Sequence, residues 1–157
     1  MSEERLNHIA AIERLPAEAE AVVAGLDDSA LDTPYREGGW SPRQVIHHLA
    51  DSHMNAFIRM RLIVTEDHPP IKPYDQDAWA VLSDTTTMPV APSLSILSGL
   101  HARWACLLRS LPEDAFSRTA FHPEHGDVTL DRLVAIYGKH GMTHCQQIRG
   151  LRERMGW

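Results

Sequence analysis

Apolar residues recur at helical spacing in four long stretches of the chain, which are separated by connectors rich in proline, glycine and polar residues. The first stretch runs from about Glu3 to Gly25, and Pro16 is expected to kink or restart its helix. The second begins at Ser41-Pro42, where a hydroxyl cap precedes a proline at the first helical position, and ends near Glu66. This spacing predicts amphipathic helices that share one core.

The second half of the chain contains the other two long helices. Pro92 opens the third, and its stripe of leucine and tryptophan ends near Leu111-Pro112. Thr129 is placed to cap the fourth, which spans roughly Leu130 to Arg154. Between these two helices, residues 116–128 predict a small hairpin.

The connectors also contain short elements. Residues 27–40 predict one short helical turn, and Asp75 to Leu82 predicts a short helix after the helix-breaking run His68-Pro69-Pro70. A loop rich in threonine and proline follows, and it is long enough to cover a site. The whole pattern predicts an all-α four-helix bundle with short extra helices, in a single domain over residues 1–157.

Composition narrows the partners that the chain is suited to bind. The formal net charge is −6, and no dense basic tract is present, which argues against nucleic acid as the main partner. No apolar run is long enough for a membrane span or a signal region, so we expect a cytoplasmic protein that acts on small molecules. Cys106 and Cys145 are too few for a disulfide framework, and neither is expected to be a nucleophile.

The candidate chemistry centres on two histidines of the last helix, His140 and His144. The helical wheel places them on one face, which is expected to be buried, together with Leu133, Tyr137, Ile148, Leu151 and Met155. A buried imidazole pair needs partners for its ring nitrogens, either hydrogen bonds or a shared divalent metal, and the spacing alone leaves both open. Gly141 rather than glutamate follows His140, so the metalloprotease motif is absent.

Three histidines of the second helix compete to supply a third ligand. The wheel places His53 near the apolar midline, His48 at one edge, and His47 almost opposite, where it is expected to face solvent. Periodicity therefore favours His53 over His48 as the ligand, and a core histidine bonded to a neighbouring helix fits the position of His53 equally well. His122 and His125, in the predicted hairpin, are expected to be exposed.

Several stretches together resemble the DinB/YfiT-like superfamily along nearly the whole chain. They are Leu31 to Trp40, Gln44 to Asn55, Lys72 to Trp79, the HxxxH of His140 and His144, and Arg154 to Trp157. In that family the second-helix ligand begins a His-Leu-Ala-Asp segment, which in this chain starts at His48. The resemblance thus implies a metal site of His48, His140 and His144, against the choice made from periodicity.

The resemblance also implies a fold, a cofactor and an activity. It implies a down-up-up-down four-helix bundle, one zinc or nickel ion per chain, a homodimer, and metal-dependent hydrolysis. Three imidazole ligands leave positions open for water or for a low-molecular-weight thiol, so S-transfer from a thiol such as bacillithiol is the alternative. A non-catalytic metal- or thiol-binding protein, and a dimeric structural protein whose histidines only pack, are the other interpretations.

Four polar residues are expected near the faces that carry the ligands: Asp51, Ser52, Asn55 and Gln147. Each could orient a ligand or handle a proton, and each also fits the role of an ordinary polar bundle residue. The sequence therefore identifies no catalytic base.

Overall fold

Four long helices and six short elements form the chain, which the computed structural model describes from Met1 to Trp157. The long helices are α1 (Glu3–Val23), α3 (Pro42–Thr65), α6 (Ala91–Ser110) and α7 (Leu130–Met155). The short elements are α2 (Asp28–Leu31), α4 (Gln76–Ala80), α5 (Ser83–Thr87), a 3-10 turn (Glu113–Ser117) and the antiparallel strands β1 (Thr119–His122) and β2 (Gly126–Thr129). The four predicted long helices, the predicted short helices α2 and α4, and the hairpin are confirmed, whereas α5 lies in the segment that was expected to be a loop.

Side-chain caps explain where three of the long helices begin. At the start of α3, the Ser41 hydroxyl accepts from the Gln44 backbone N–H, and the Gln44 side chain accepts from the Ser41 N–H. Ser2 caps α1 and Thr129 caps α7 through single bonds of the same kind. The first helix continues through Pro16 as one element, so the expected restart does not occur. None of the helices is both long and apolar enough to span a membrane.

Helices α1 and α7 run side by side in the same direction. Near one end, Gly138 of α7 packs against His8 of α1. Further along both helices, Arg149 of α7 pairs with Glu18 of α1. Because residue numbers rise in both helices from the first contact to the second, the two helices are parallel.

Helices α3 and α6 form a second parallel pair. His53 of α3 contacts His101 of α6, and one to two turns later Met60 accepts a hydrogen bond from the Trp104 indole N–H. These two contacts also advance together, so the helices share a direction.

The two parallel pairs run opposite to each other. His48 of α3 lies beside His144 of α7, whereas His53, further along α3, bonds to His140, which comes earlier in α7. With α1 and α7 in one direction and α3 and α6 in the other, the predicted down-up-up-down order is confirmed.

A layer of three histidines, His53, His101 and His140, divides the hydrophobic core in two, and we call it the histidine layer. One cluster includes Ile12, Ala56, Met60, Trp104 and Val134, and the other includes Leu15, Ala50, Leu97, Cys145 and Ile148. On each of α3, α6 and α7, the histidine lies between residues of the two clusters. The bundle therefore carries a polar layer across an otherwise apolar interior.

Two expectations from the helical wheel are wrong. His47 is only 7% exposed, and its ring bonds to the Ser93 hydroxyl at 2.7 Å and the Met88 carbonyl at 3.2 Å. It is buried because α5 and the start of α6 pack against that face of α3, which the wheel treats as solvent. Met155 is half exposed because it lies beyond Leu151, the last buried residue of α7.

Candidate metal centre

Three imidazoles from two helices converge at the edge of the histidine layer. His48 lies on α3, while His140 and His144 lie one turn apart on α7. One candidate ligand atom from each of these rings lies within 4.8 Å of the other two, and we call the group the histidine triad. The structure thus brings together the three residues that the family resemblance implied, in an arrangement that suits one divalent ion.

Hydrogen bonds identify the nitrogens that remain free in the histidine triad. The Nδ1 atom of His144 bonds to the Gln147 side-chain oxygen at 2.8 Å, and the Nδ1 atom of His140 bonds to Nε2 of His53 at 3.1 Å. The Nε2 atom of His48 is buried and has no hydrogen-bond partner. A buried imidazole nitrogen without a partner is costly, so its lone pair fits a metal ligand. The three Nε2 atoms are therefore the candidate donors.

Burial keeps the imidazoles of the histidine triad neutral. Burial, together with a smaller effect of the positive charge that His144 and His140 can carry, lowers the pKa of His48 to about 3. Burial likewise lowers the pKa of His140 to about 4. The pKa of His144 is lowered by burial as well, against an opposing effect of its bond to Gln147. Each ring therefore offers a lone pair at neutral pH, as metal ligation requires.

His53, which periodicity favours as the third ligand, lies behind the histidine triad. Its Nδ1 lies 3.0 Å from His101 Nε2, and its Nε2 lies 3.1 Å from His140 Nδ1. Both nitrogens are thus engaged by other imidazoles, as the core-histidine interpretation expected. His101 was missed from the sequence, where its only signal is a place on the apolar face of α6 between Leu97 and Trp104.

Trp40 packs over two members of the histidine triad. Its ring centroid lies 4.7 Å from that of His48 and 6.3 Å from that of His144, and it is nearly parallel to the His144 ring. The connector between α2 and α3 positions it directly before the Ser41 cap. The sequence pointed to Trp40 only as part of the family resemblance.

Two of the four polar residues expected near the ligands lie there. Gln147 bonds one ring of the histidine triad, and Ser52 lines a cavity beside the other two. Asp51 instead lines a separate cavity with His47, and the Asn55 side chain donates to the Asp51 carbonyl. The loop rich in threonine and proline contains α5 and covers this second side of α3, not the histidine triad.

Two cavities border the histidine triad. The larger cavity, of about 520 Å³, touches His144 and is lined by Tyr35, Arg36, Gly38, Gly39, Trp40, Gln76 and Asp77. The smaller cavity, of about 210 Å³, touches His48 and His140 and is lined by Ser52, Arg59, Pro73, Tyr74, Gln76, His122, Glu124 and Tyr137. An ion held by the three rings would be open to small molecules on both sides.

The hairpin turn forms one wall of the smaller cavity. His122 is partly buried there, whereas His125 is exposed, so the expectation of exposure is correct for the second residue only. The two rings stack with centroids 4.5 Å apart. Burial lowers the pKa of His122, and the neighbouring His125 adds to this shift.

The two cysteines are both free thiols. Cys106 is exposed, whereas Cys145 is buried in α7, directly after His144. Burial raises the pKa of the Cys145 thiol to about 11, so it is protonated at neutral pH.

Comparison with known protein sequences identifies relatives over most of the chain. Residues 11–148 match the model of the DinB superfamily. GK0616 of Geobacillus kaustophilus, provisionally named a metal-dependent hydrolase, is 50% identical over 151 residues, which cover 95% of this chain and 84% of that protein. YfiT of Bacillus subtilis, with a name of the same kind, is 45% identical over 156 residues, covering 99% of this chain and 88% of that protein.

Solved structures show the same relationship. The structure of YfiT, described as a probable metal-dependent hydrolase with an unusual four-helix bundle topology, superposes with a TM-score of 0.96 and covers 100% of this chain and 91% of that one. The mycothiol-dependent maleylpyruvate isomerase superposes with a TM-score of 0.71 at 15% identity, covering 94% of this chain and 63% of that one, and shares the fold alone. With a family model over most of its length and relatives near half identity, this chain belongs to the DinB superfamily.

Proposed function

We propose that this chain is a metal-dependent hydrolase in which His48, His140 and His144 hold one divalent ion, zinc or nickel. The observation that carries the proposal is the buried Nε2 of His48, which lacks a hydrogen-bond partner and belongs to a group of three imidazoles with donor atoms close together. Imidazole donors suit borderline ions of this kind. The names of YfiT and GK0616 support the same class of activity.

The chain's own residues orient the ligands. Gln147 and His53 engage the Nδ1 atoms of His144 and His140, which leaves Nε2 free in both rings. Trp40 packs against the rings of His48 and His144. A bound ion would keep at least one position open, where it makes a water molecule more acidic or takes up a thiol.

The smaller cavity supplies groups that suit a small polar substrate. Arg59 is its one permanently cationic side chain, and the guanidinium donates to the Lys72 carbonyl at 2.7 Å without an ion-pair partner. Ser52 and Tyr137 line the same space. A substrate with a carbonyl or anionic oxygen can therefore be held beside His48 and His140.

A second candidate reaction is the transfer of a low-molecular-weight thiol, such as bacillithiol, to an electrophile. In this reaction a bond forms between the thiol sulfur and an electrophilic carbon, and the thiol proton leaves with the displaced group. The presence of two separate cavities at one centre favours it, because thiol and electrophile need separate places. The mycothiol-dependent isomerase, which shares the fold, supports the same idea.

The test uses one preparation of the protein, treated with a chelator and then reloaded with zinc or with nickel. Each form is assayed for hydrolysis of activated esters and for conjugation of a thiol with an electrophile. Ester hydrolysis that depends on the ion supports the first proposal, and ion-dependent conjugation alone selects the second. Ion binding without turnover indicates a binding protein, and full turnover of the chelated protein contradicts both reactions.

A homodimer and a cytoplasmic location stay predictions. The homodimer rests on the family resemblance, and the location rests on composition. Light scattering coupled to size exclusion, with the 17.6 kDa chain as reference, measures the oligomeric state directly.

A further inference from the structure

The histidine layer is a hydrogen-bonded line that crosses the bundle from α1 to the candidate metal centre. His101 Nδ1 lies 2.5 Å from the Ile12 carbonyl oxygen, and His101 Nε2 lies 3.0 Å from His53 Nδ1. His53 Nε2 lies 3.1 Å from His140 Nδ1. His101 and His53 are both 0% exposed. The line therefore joins the backbone of α1 to one of the proposed ligands through side chains of the other three long helices.

The carbonyl at the α1 end fixes the direction of every bond in this line. A carbonyl oxygen only accepts, so His101 Nδ1 must carry the hydrogen. In a neutral ring, His101 Nε2 is then an acceptor, and His53 Nδ1 donates to it. By the same step, His53 Nε2 accepts from His140 Nδ1. His140 Nε2 is left with a lone pair, which is the form that a metal ligand requires.

The opposite direction would place a cation inside the core. If His53 donated to His140 through Nε2, its Nδ1 would have to accept from His101 Nε2. His101 would then donate from both nitrogens and carry a positive charge. The partners of His101 and His53 are one carbonyl and other imidazoles, with no carboxylate among them. A buried imidazolium without an anion is costly, so the neutral direction prevails.

Aromatic contacts keep the two inner rings of the layer in place. The Trp104 ring lies 5.7 Å from His53 and 5.4 Å from His101, measured between centroids, and Tyr137 meets His53 edge to face at 5.2 Å. Trp104 is itself fixed, because its indole N–H donates to the Met60 sulfur at 3.2 Å. Neither imidazole is free to turn toward another partner.

We propose that His101 and His53 are positioning residues that set the tautomer of His140 and so leave its Nε2 ready for the ion. A metal-ligating histidine ordinarily donates its second nitrogen directly to a carbonyl, a carboxylate or water. In this chain the Ile12 carbonyl acts through two intervening rings. The inference rests on the proposed metal site, but the tautomers exist in the metal-free protein and are measurable there.

Three variants test the proposal. His101→Leu removes the acceptor for His53, while His101→Gln keeps one donor and one acceptor in the same place and should restore the line. His47→Leu is the matched control, because His47 is also a buried ring with two hydrogen bonds and lies outside the line. Thermal melts of all three variants report the loss of folding stability separately from the effect on the ion.

Two measurements test the proposal, one of the tautomers and one of the zinc affinity. Nitrogen-15 NMR of histidine-labelled, metal-free wild type should find the hydrogen on Nδ1 of His101, His53 and His140. Competition with a chromophoric chelator should show that His101→Leu weakens zinc binding by about 10- to 100-fold. His101→Gln and His47→Leu should bind zinc close to the wild-type affinity.

A hydrogen on Nε2 of His53 or His140 in the wild type would overturn the proposal, and this result needs no variant to fold. Zinc affinity unchanged in His101→Leu would also overturn it. An equal loss in His47→Leu would show that any lost buried bond has the same effect, which removes the special role of the layer. Wild type with the expected tautomers but no affinity for zinc would contradict the proposed function and leave the tautomer assignment standing.

Discussion

Gly141 lies so close to Leu15 that a Cβ atom on Gly141 would stand 2.2 Å from the Leu15 Cδ2 atom. Gly138, one turn earlier in α7, approaches His8 in the same manner. These close approaches bring α7 onto α1. Because His140 directly precedes Gly141, the contact also sets where this ligand sits. It gives a structural reason for glycine at the position where a metalloprotease motif has glutamate.

We predict that Gly141→Ala destabilises the protein, although alanine is the better helix former. The added methyl group must displace Leu15 or separate the two helices, which costs about 1–3 kcal/mol when a packed core is overfilled. The metal affinity of Gly141→Ala should also fall, since His140 moves with the helix. Gly99→Ala is the control, because Gly99 is helical with nothing near its added Cβ, and it should gain about 1 kcal/mol. Chemical denaturation measures both, and equal stability of the two variants would contradict the packing interpretation.

Replacing a proposed ligand should remove the ion without unfolding the bundle. We expect His140→Ala and His144→Ala to lose bound metal, as each removes one of three donors. His47→Ala should keep its metal even though it loses stability, because its ring bonds Ser93 and Met88 instead of the centre. Elemental analysis after gel filtration gives the metal content per chain. Loss of metal in the His47 variant, with retention in the other two, would reverse the assignment.

The metal-free protein should become less stable as the pH falls below about 6.5, the unperturbed histidine value. Burial lowers the pKa of His48 to about 3 and of His101 to about 4, so below about pH 6.5 the unfolded chain binds protons that the folded chain does not bind. These groups contribute their full stability above the unfolded pKa. As the pH falls from the unfolded pKa to the folded pKa, the free energy of unfolding decreases by about 1.4 kcal/mol per pH unit for each proton.

Denaturation of the chelated protein at several pH values measures this slope. The stability of His101→Gln should change less steeply with pH than that of the wild type, because the variant lacks one imidazole that binds a proton only in the unfolded chain. A melting temperature that stays constant from neutral pH to about pH 5 would show that the buried histidines do not resist protonation as proposed.

Removal of the metal should leave the bundle folded. Two hydrophobic clusters supply the core on both sides of the histidine layer, so the ion is not needed to hold the helices together. The ion binds only the folded form, so chelation should lower the melting temperature by an amount that depends on free metal concentration. Circular dichroism at room temperature should keep its helical signal, and a random-coil spectrum would instead make the site a structural one.

The elements of the fold could be predicted because each carries a local signal. Caps such as Ser41 and Thr129 mark helix starts, and apolar spacing marks the helices themselves. The expected solvent position of His47 was wrong because a helical wheel assumes one buried face, whereas α3 is covered on a second face by α5 and the start of α6.

The site could be predicted only in part. Periodicity ranks histidines by burial, and the most buried histidine of α3, His53, bonds to other histidines, while His48 lines the smaller cavity. Family resemblance was therefore needed to favour His48. The role of His101 was hidden because its partners, His53 and the Ile12 carbonyl, are distant in sequence and only the packing of α1, α3 and α6 brings them together.

The central claim is that three Nε2 atoms, from His48, His140 and His144, hold one divalent ion. X-ray absorption of the zinc-loaded protein at one ion per chain tests it most directly, with His48→Ala beside the wild type. We predict three imidazole nitrogens at about 2.0–2.1 Å in the wild type, completed by oxygen, and loss of this bound zinc from the variant, which lacks one of the three donors. A wild-type spectrum without imidazole scattering, or one that His48→Ala leaves unchanged, would contradict the claim.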